Sequence, residues 1–337
     1  MSMKCVKLPK ENLSSFVETL KTFGKVYGPV RNERSHFFRE INNSNEMDLN
    51  YTRTMMPPKK FFLKLKEIIF NFDQGRSEYQ ETPENEKTVV FGVHSCDIHA
   101  LKLMDKIYLN SAPDKYYTIR RQNTVVIGCS CRPDKYCFCN SQGTSYATDS
   151  FDLFIHELSD AYFVRVGSDK GNSIIRRSSS LVKEVDSKDV DEFRGAERNR
   201  DREYTLKLDI NGLTDMLSLS YESDIWNEYA DKCFGCGNCN LVCPTCRCYD
   251  VVDYLDADLK TGHRLRHLDS CMLREHGLVA GMLNFRPTRA ERLRNRFNCK
   301  GSLREDMVNC VGCGRCTVYC PSKIDYVEVL KKVKGEL

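Results

Sequence analysis

Residues 233–244 read CFGCGNCNLVCP, and residues 310–321 read CVGCGRCTVYCP. Each stretch is C-x2-C-x2-C-x3-C-P. Three thiolates at that spacing can wrap three corners of an iron–sulfur cube, and the tight turns between them are eased by Gly235, Gly237, Gly312 and Gly314. The fourth cysteine of such a run sits too far round to close the same cube, and in two-cluster proteins it ligates the other one. The pattern therefore predicts one 4Fe-4S cluster on Cys233, Cys236, Cys239 and Cys320, and a second on Cys310, Cys313, Cys316 and Cys243. Neither copy completes a cluster alone, so the repeats must fold together as one ferredoxin-like module with a large insertion. Structural zinc is the competing chemistry. It usually takes two CxxC pairs, whereas here four cysteines end in Cys-Pro twice over.

The rest of the composition fits this reading. The chain has 337 residues, a formal net charge of +4 and 18 cysteines. Disulfide scaffolds are cysteine-dense but small and secreted, whereas repeated short thiol spacings in a longer chain point to metal. Nothing in that charge balance calls for a nucleic-acid partner, which usually needs a concentrated basic surface. No apolar run is long enough to span a membrane, and the first residues lack the apolar core of a secretory signal. The expectation is a cytoplasmic protein that engages neither nucleic acid nor membrane.

Periodicity predicts an α+β protein, with an N-terminal mixed α/β domain over residues 1–185, a connector over 186–222 and a mainly α-helical two-cluster domain over 223–337. TVVFGV (88–93) and TVVIG (124–128) are buried-strand signals around a helical pattern opening at Asp97, which makes a βαβ unit with a parallel pair. DLFIHEL and AYFVRV read as a hairpin about Ser159 and Asp160. KKFFLKLKEIIFNF, after Pro57 and Pro58, reads as a helix. The charged stretch 183–207 reads as an exposed helix and connector. Between Lys260 and Asp306 there are eleven Lys and Arg against five Asp and Glu. Cations there can stabilise an anionic cluster or form a docking face for an acidic partner.

A second group of thiols lies in GCSCRPDKYCFCNSQGT (128–144). Cys131, Cys137 and Cys139 offer three ligands after a strand, and Cys96 offers a fourth at the end of its parallel neighbour. In α/β sheets ligands gather at those strand ends. Cys129 is the alternative to Cys131, and buried thiols or zinc are the competing readings. Cys246, Cys248 and Cys271 are expected to be packing residues, Cys5 and Cys299 structural, and His94, His99, His263, His267 and His276 structural. No G-x-G-x-x-G follows a strand, no P-loop is present and no Ser-His-Asp arrangement stands out. No site for NADH, flavin or a small substrate is expected, which points to a relay subunit within a larger enzyme.

HSCDIHALKLMDKIYL, CFCNSQGT, CFGCGNCNLVCPTCRCYDVVD, SCMLREHG and RAERLRNRF, in this order over about residues 88 to 325, resemble the A subunit of anaerobic sulfite reductase. They also resemble a related family, the beta subunit of cytoplasmic nickel–iron sulfhydrogenases. The resemblance implies an electron-transfer subunit between a flavin- and NAD(P)H-binding partner and a catalytic subunit, sirohaem-containing in one branch and following a nickel–iron pair in the other. It also implies a third 4Fe-4S cluster on the CFC loop with Cys96. Five residues separate Cys131 from Cys137 where the family usually has six, which leaves Cys129 or Cys131 open as the ligand. FNCK also stands where the family's His-Lys pair would be. The spacing around SCML and the RAERLRNRF helix favour the sulfite-reducing branch, with a hydrogenase subunit as the alternative. The rivals of another kind are a zinc-binding interaction protein and a free-standing redox enzyme.

Overall fold

The computed structural model describes residues 4–33, 35–304 and 307–336. A seven-stranded mixed sheet is built from β1 (Cys5–Pro9), β2 (Lys25–Asn32), β3 (Ser35–Glu40), β6 (Thr88–His94), β7 (Thr124–Cys129), β8 (Leu153–Glu157) and β9 (Ala161–Val166), in the order β1-β9-β8-β7-β6-β2-β3. Its centre is parallel: β2 pairs with β6, β6 with β7 and β7 with β8. Val89, Val90, Phe91, Val126 and Ile127 are all fully buried, as parallel strands covered on both faces should be. The expected β8–β9 hairpin is present and antiparallel. Helix α1 (Leu13–Lys21) buries Phe16, Val17 and Leu20 against this sheet. Helix α4 (Asp169–Arg177) packs on the same face, while α2 (Ser95–Tyr108), which opens directly from β6, and α3 (Lys115–Asn123) cover the other.

One expected helix is a strand. After a single 3-10 turn at Pro58–Phe61, residues 66–73 form β4 (Lys66–Asp73), which pairs with β5 (Glu78–Glu81). The helical spacing is overridden by partners far along the chain. The basic insertion between the repeats contains the hairpin β10 (Tyr249–Leu255) and β11 (Thr261–Leu268), and β11 pairs with β4, giving a four-stranded sheet β10-β11-β4-β5. Arg266 of β11 holds the buried Glu67 carboxylate at 2.7 Å, and Arg120 reaches the same group.

The charged stretch becomes α5 (Ser187–Arg202), opened by a capping box between Asp186 and Asp189. Then follow α6 (Leu213–Leu219), α7 (Ile225–Lys232), α8 (Asn238–Leu241), α9 (Arg289–Gly301), α10 (Arg315–Val318) and α11 (Tyr326–Val333). The helices of the cysteine-rich part are short and share it with the β10–β11 hairpin, so a mainly helical description covers only part of it. A core of Leu217, Trp226, Phe297, Tyr326 and Leu330 binds them together. Among the described residues no helix is long and apolar enough to cross a membrane.

The second cysteine repeat is bolted to the βαβ unit by a buried ion pair. Arg315, within CVGCGRC, donates from Nη1 and Nη2 to the two carboxylate oxygens of Asp97 at 2.7 and 2.8 Å, and from Nε to the Thr54 carbonyl at 2.8 Å. The two side chains are 1% and 0% exposed. Removing one partner of such a pair strands the other charge. Asp97→Ala is expected to cost about 3–5 kcal/mol of stability, read as a lowered urea midpoint in anaerobic unfolding. An unchanged midpoint would contradict the assignment.

Candidate iron–sulfur sites

The two repeats fold alike. In each, a loop carries the first two cysteines, a left-handed glycine (Gly237, φ 75°; Gly314, φ 70°) starts a four-residue helix, and the third cysteine lies on that helix. L side chains avoid this backbone region. The loops are tied face to face, since the Asn238 amide donates to the Tyr319 carbonyl. Cys233, Cys236, Cys239 and Cys320 line one small cavity, and Cys243, Cys310, Cys313 and Cys316 line another. Each cavity is thus lined by cysteines of both repeats. Cys316 and Tyr326 border both cavities.

The surroundings fit an anionic, sulfur-rich group. Backbone N–H groups of Gly235 and Ile324 donate to the Cys233 and Cys320 sulfurs at 3.4 Å. Burial pushes the Cys239 and Cys310 thiols up to about 11, so a thiolate at those positions needs a metal in place of the proton. The Tyr326 hydroxyl is buried and has no hydrogen-bond partner among the described residues. A buried orphan donor is costly, and a cluster sulfide is the acceptor this site would supply. Lys59, Arg296 and Lys300 are 2%, 4% and 3% exposed. Their hydrogen bonds go to backbone carbonyls, the Thr245 hydroxyl and the Cys246 sulfur. With no carboxylate among those partners, the buried cations call for another anion. The basic insertion thus turns Arg296 and Lys300 inward instead of presenting them to a partner.

The N-terminal thiols form a third group. Cys96 stands in the first turn of α2, and it packs with Cys137, Cys139, Tyr204 and Val311. Cys131 is close enough to Cys96 and Cys137 for their charges to act on it, and Cys129, which ends β7 and packs in the sheet core, is close enough to Cys96 for the same. The Cys137 thiol is drawn down to about 7 by its hydrogen bond with Cys139 and by the Arg53 guanidinium. Arg53 donates to the Cys137 sulfur at 3.0 Å, to the Cys313 carbonyl at 3.2 Å and to Asp134 at 2.6 Å.

This group abuts the second repeat. The Phe138 N–H donates to the Gly312 carbonyl at 2.9 Å, and the Thr144 hydroxyl donates to the Val311 carbonyl at 2.7 Å. A Cβ on Gly312 would come within 2.6 Å of the Phe138 and Cys139 backbone, so this approach requires glycine. Phe138, Tyr326 and Phe297 stack in a column, with centroids 6.2 and 4.9 Å apart. The three sets therefore lie in sequence, from the N-terminal group through the Cys310 set to the Cys233 set, where Cys236 is exposed.

Sequence reading missed Arg53, Lys59, Asp97, Tyr326 and the gathering of Cys246, Cys248 and Cys271. Arg315 had a signal, being a cation inside a cluster motif; Arg53 and Lys59 had none. A polar cavity of about 650 Å³ opens at the ends of β7 and β8, lined by Cys131, Arg132, His156 and Arg200 among others. Among the described residues no group of three or more His, Cys, Asp or Glu could hold a single metal ion. The cysteines ring cavities instead of converging on a point.

Two crossed cysteine sets in a ferredoxin-like arrangement define an iron–sulfur protein, and residues 232–324 match the 4Fe-4S dicluster domain family. Over 336 residues, 99% of this chain and 100% of the relative, the sequence is 46% identical to subunit beta of sulfhydrogenase 2 from Pyrococcus furiosus. The chain belongs to the sulfhydrogenase beta-subunit family. No solved structure matches it.

Cys239→Ala or Cys316→Ala is expected to remove about four iron atoms per chain, one cluster's complement, measured by anaerobic iron analysis; unchanged iron would refute the ligand sets. Tyr326→Phe should keep the iron content and lower one cluster's reduction potential in an EPR-monitored titration. An unshifted potential would mean that the hydroxyl does not face a cluster.

Proposed function

We propose that this chain is the electron relay of a multisubunit oxidoreductase, connecting a flavin- and NAD(P)H-binding partner to a catalytic subunit. The observation that carries the reading is the unbroken contact between the three cysteine groups, through Gly312 with Phe138 and through Cys316 and Tyr326. The proposed ligands are Cys233, Cys236, Cys239 and Cys320; Cys310, Cys313, Cys316 and Cys243; and Cys96, Cys131, Cys137 and Cys139. Clusters held there supply one-electron transfer. The protein's own part is to fix their spacing, exclude water with the Phe138–Tyr326–Phe297 column and balance their charge with Arg53, Lys59, Arg296 and Lys300. Domain limits of 1–185, 186–222 and 223–337 and a cytoplasmic location belong to the same proposal.

Similarity over the full length to a sulfhydrogenase subunit, at 46% identity, makes a hydrogenase-type catalytic subunit the first choice over the sulfite-reducing one. The second reading, sulfite reduction to sulfide on a sirohaem subunit, is favoured by the spacing around SCML and by the 289–301 helix. Anaerobic isolation of the complex from its own cells, followed by its visible spectrum and metal analysis, separates the two. The expected result is a brown complex with flavin and nickel and without sirohaem. Sirohaem would overturn the first choice, and a colourless zinc protein would overturn the relay itself.

A further inference from the structure

Six cysteines remain outside these sets, and three of them are not scattered. Cys246 and Cys248 form a C-x-C just before β10, and Cys271 lies just after β11 on the other arm of the hairpin. The ladder runs on past the last named pair, Tyr249 with Leu268, since Asp269 N–H donates to the Cys248 carbonyl at 3.0 Å. Alternate residues of an extended strand share a face, so the C-x-C presents two thiols together and the hairpin brings the third across to meet them. The Asn240 amide nitrogen lies 3.3 Å from the Cys246 sulfur and 3.3 Å from the Cys271 sulfur. Cys248 lies within interaction reach of both Cys271 and His276.

His276 is held from behind. Its Nδ1 meets the Asp269 carboxylate, so Nε2 is the nitrogen that would face a bound metal. Carboxylate–histidine pairing of this kind orients metal-ligating imidazoles.

We propose that Cys246, Cys248, Cys271 and His276 hold a fourth iron–sulfur cluster. The inference rests on the relay reading and extends it. Three features of this site recur at the N-terminal group. Both have a C-x-C joined by a cysteine distant in sequence. Both have thiols within interaction reach of one another, Cys139 with Cys137 and Cys96 there, Cys271 with Cys248 here. Both have a buried arginine at a cysteine sulfur, Arg53 at Cys137 and Arg296 at Cys246, 3.6 Å away. The amide and guanidinium N–H groups stabilise sulfur as thiolate, as they do around cluster sulfurs. Lys59, which donates to the Cys246 carbonyl at 3.0 Å, adds a second buried cation. A cluster fits better than a single zinc ion, because no three of these side chains converge on one point among the described residues.

The position is informative. Arg296 spans from the Cys246 sulfur to the Cys239 carbonyl, at 3.0 Å, so the site borders the Cys233 set and branches from the relay. Cys248 is only half-buried, unlike Cys246 and Cys271, so one corner faces outward.

The test is iron and acid-labile sulfide analysis of the full-length chain, purified anaerobically and reconstituted with iron and sulfide. About sixteen iron atoms per chain are expected, against about twelve for three clusters. Cys271→Ala should lose about four, and so should Cys248→Ser, whose half-exposed position makes misfolding a poor explanation; circular dichroism of both variants checks the fold. His276→Ala should alter the EPR spectrum of one cluster. About twelve irons in the parent chain, unchanged in both cysteine variants, would overturn the proposal. So would one zinc per chain at this site, or a Cys248–Cys271 disulfide found by mass spectrometry in the reconstituted protein. An iron content near zero in the parent chain would instead count against the relay reading as a whole.

Discussion

The bidentate pair between Arg315 and Asp97 is the constraint on which the rest of the arrangement depends. Arg315 lies one residue before Cys316, and Asp97 lies one residue after Cys96. A pair buried this completely tolerates little displacement, because separation would leave two charges without water. It therefore fixes the second ferredoxin repeat against the helix that presents the first thiol of the N-terminal group. Arg53 acts in the same place, touching the Cys137 sulfur, the Cys313 carbonyl and Asp134 at once. The cluster-bearing parts are thus registered by charge-assisted bonds with fixed geometry instead of by apolar packing, which tolerates sliding.

The crossed cysteine sets impose a second constraint. Each cavity draws its fourth cysteine from the opposite repeat, so the module is defined only when both repeats are in place. The insertion between them is part of that closure. Its helix 289–301 starts at a capping box formed by Thr288 and Glu291 and delivers Arg296 and Lys300 to the interior. Its hairpin joins the strand at 66–73, so the chain between the repeats is anchored to the N-terminal part. Burying lysine and arginine without carboxylates would be prohibitive in an apolar core. It becomes intelligible where thiolate-bound clusters supply the negative charge.

Much of this was legible in the sequence, for identifiable reasons. The C-x2-C-x2-C-x3-C-P runs are local, and their crossed pairing follows from the short reach of each run. TVVFGV and TVVIG read as buried parallel strands because nothing in them after the leading threonine is polar. The segment at 66–73 was misread because Phe62, Leu65, Ile69 and Phe72 mimic helical spacing, while the strand that claims it lies almost two hundred residues on. Arg53, Lys59 and Asp97 carry no local mark; their roles exist only once distant segments meet. Cys246, Cys248 and Cys271 looked like leftovers because the ligand count of the recognised motifs was already complete.

The central claim is that the cysteine groups form one contiguous electron path. Low-temperature EPR of the fully reduced full-length chain tests it most directly. Clusters held at the Cys233, Cys310 and Cys96 groups, in contact through Gly312, Cys316 and Tyr326, should give a broad, spin-coupled spectrum. That spectrum should simplify when Cys137→Ala removes the N-terminal member. A spectrum equal to the sum of independent, uncoupled clusters, unchanged by that substitution, would contradict the account.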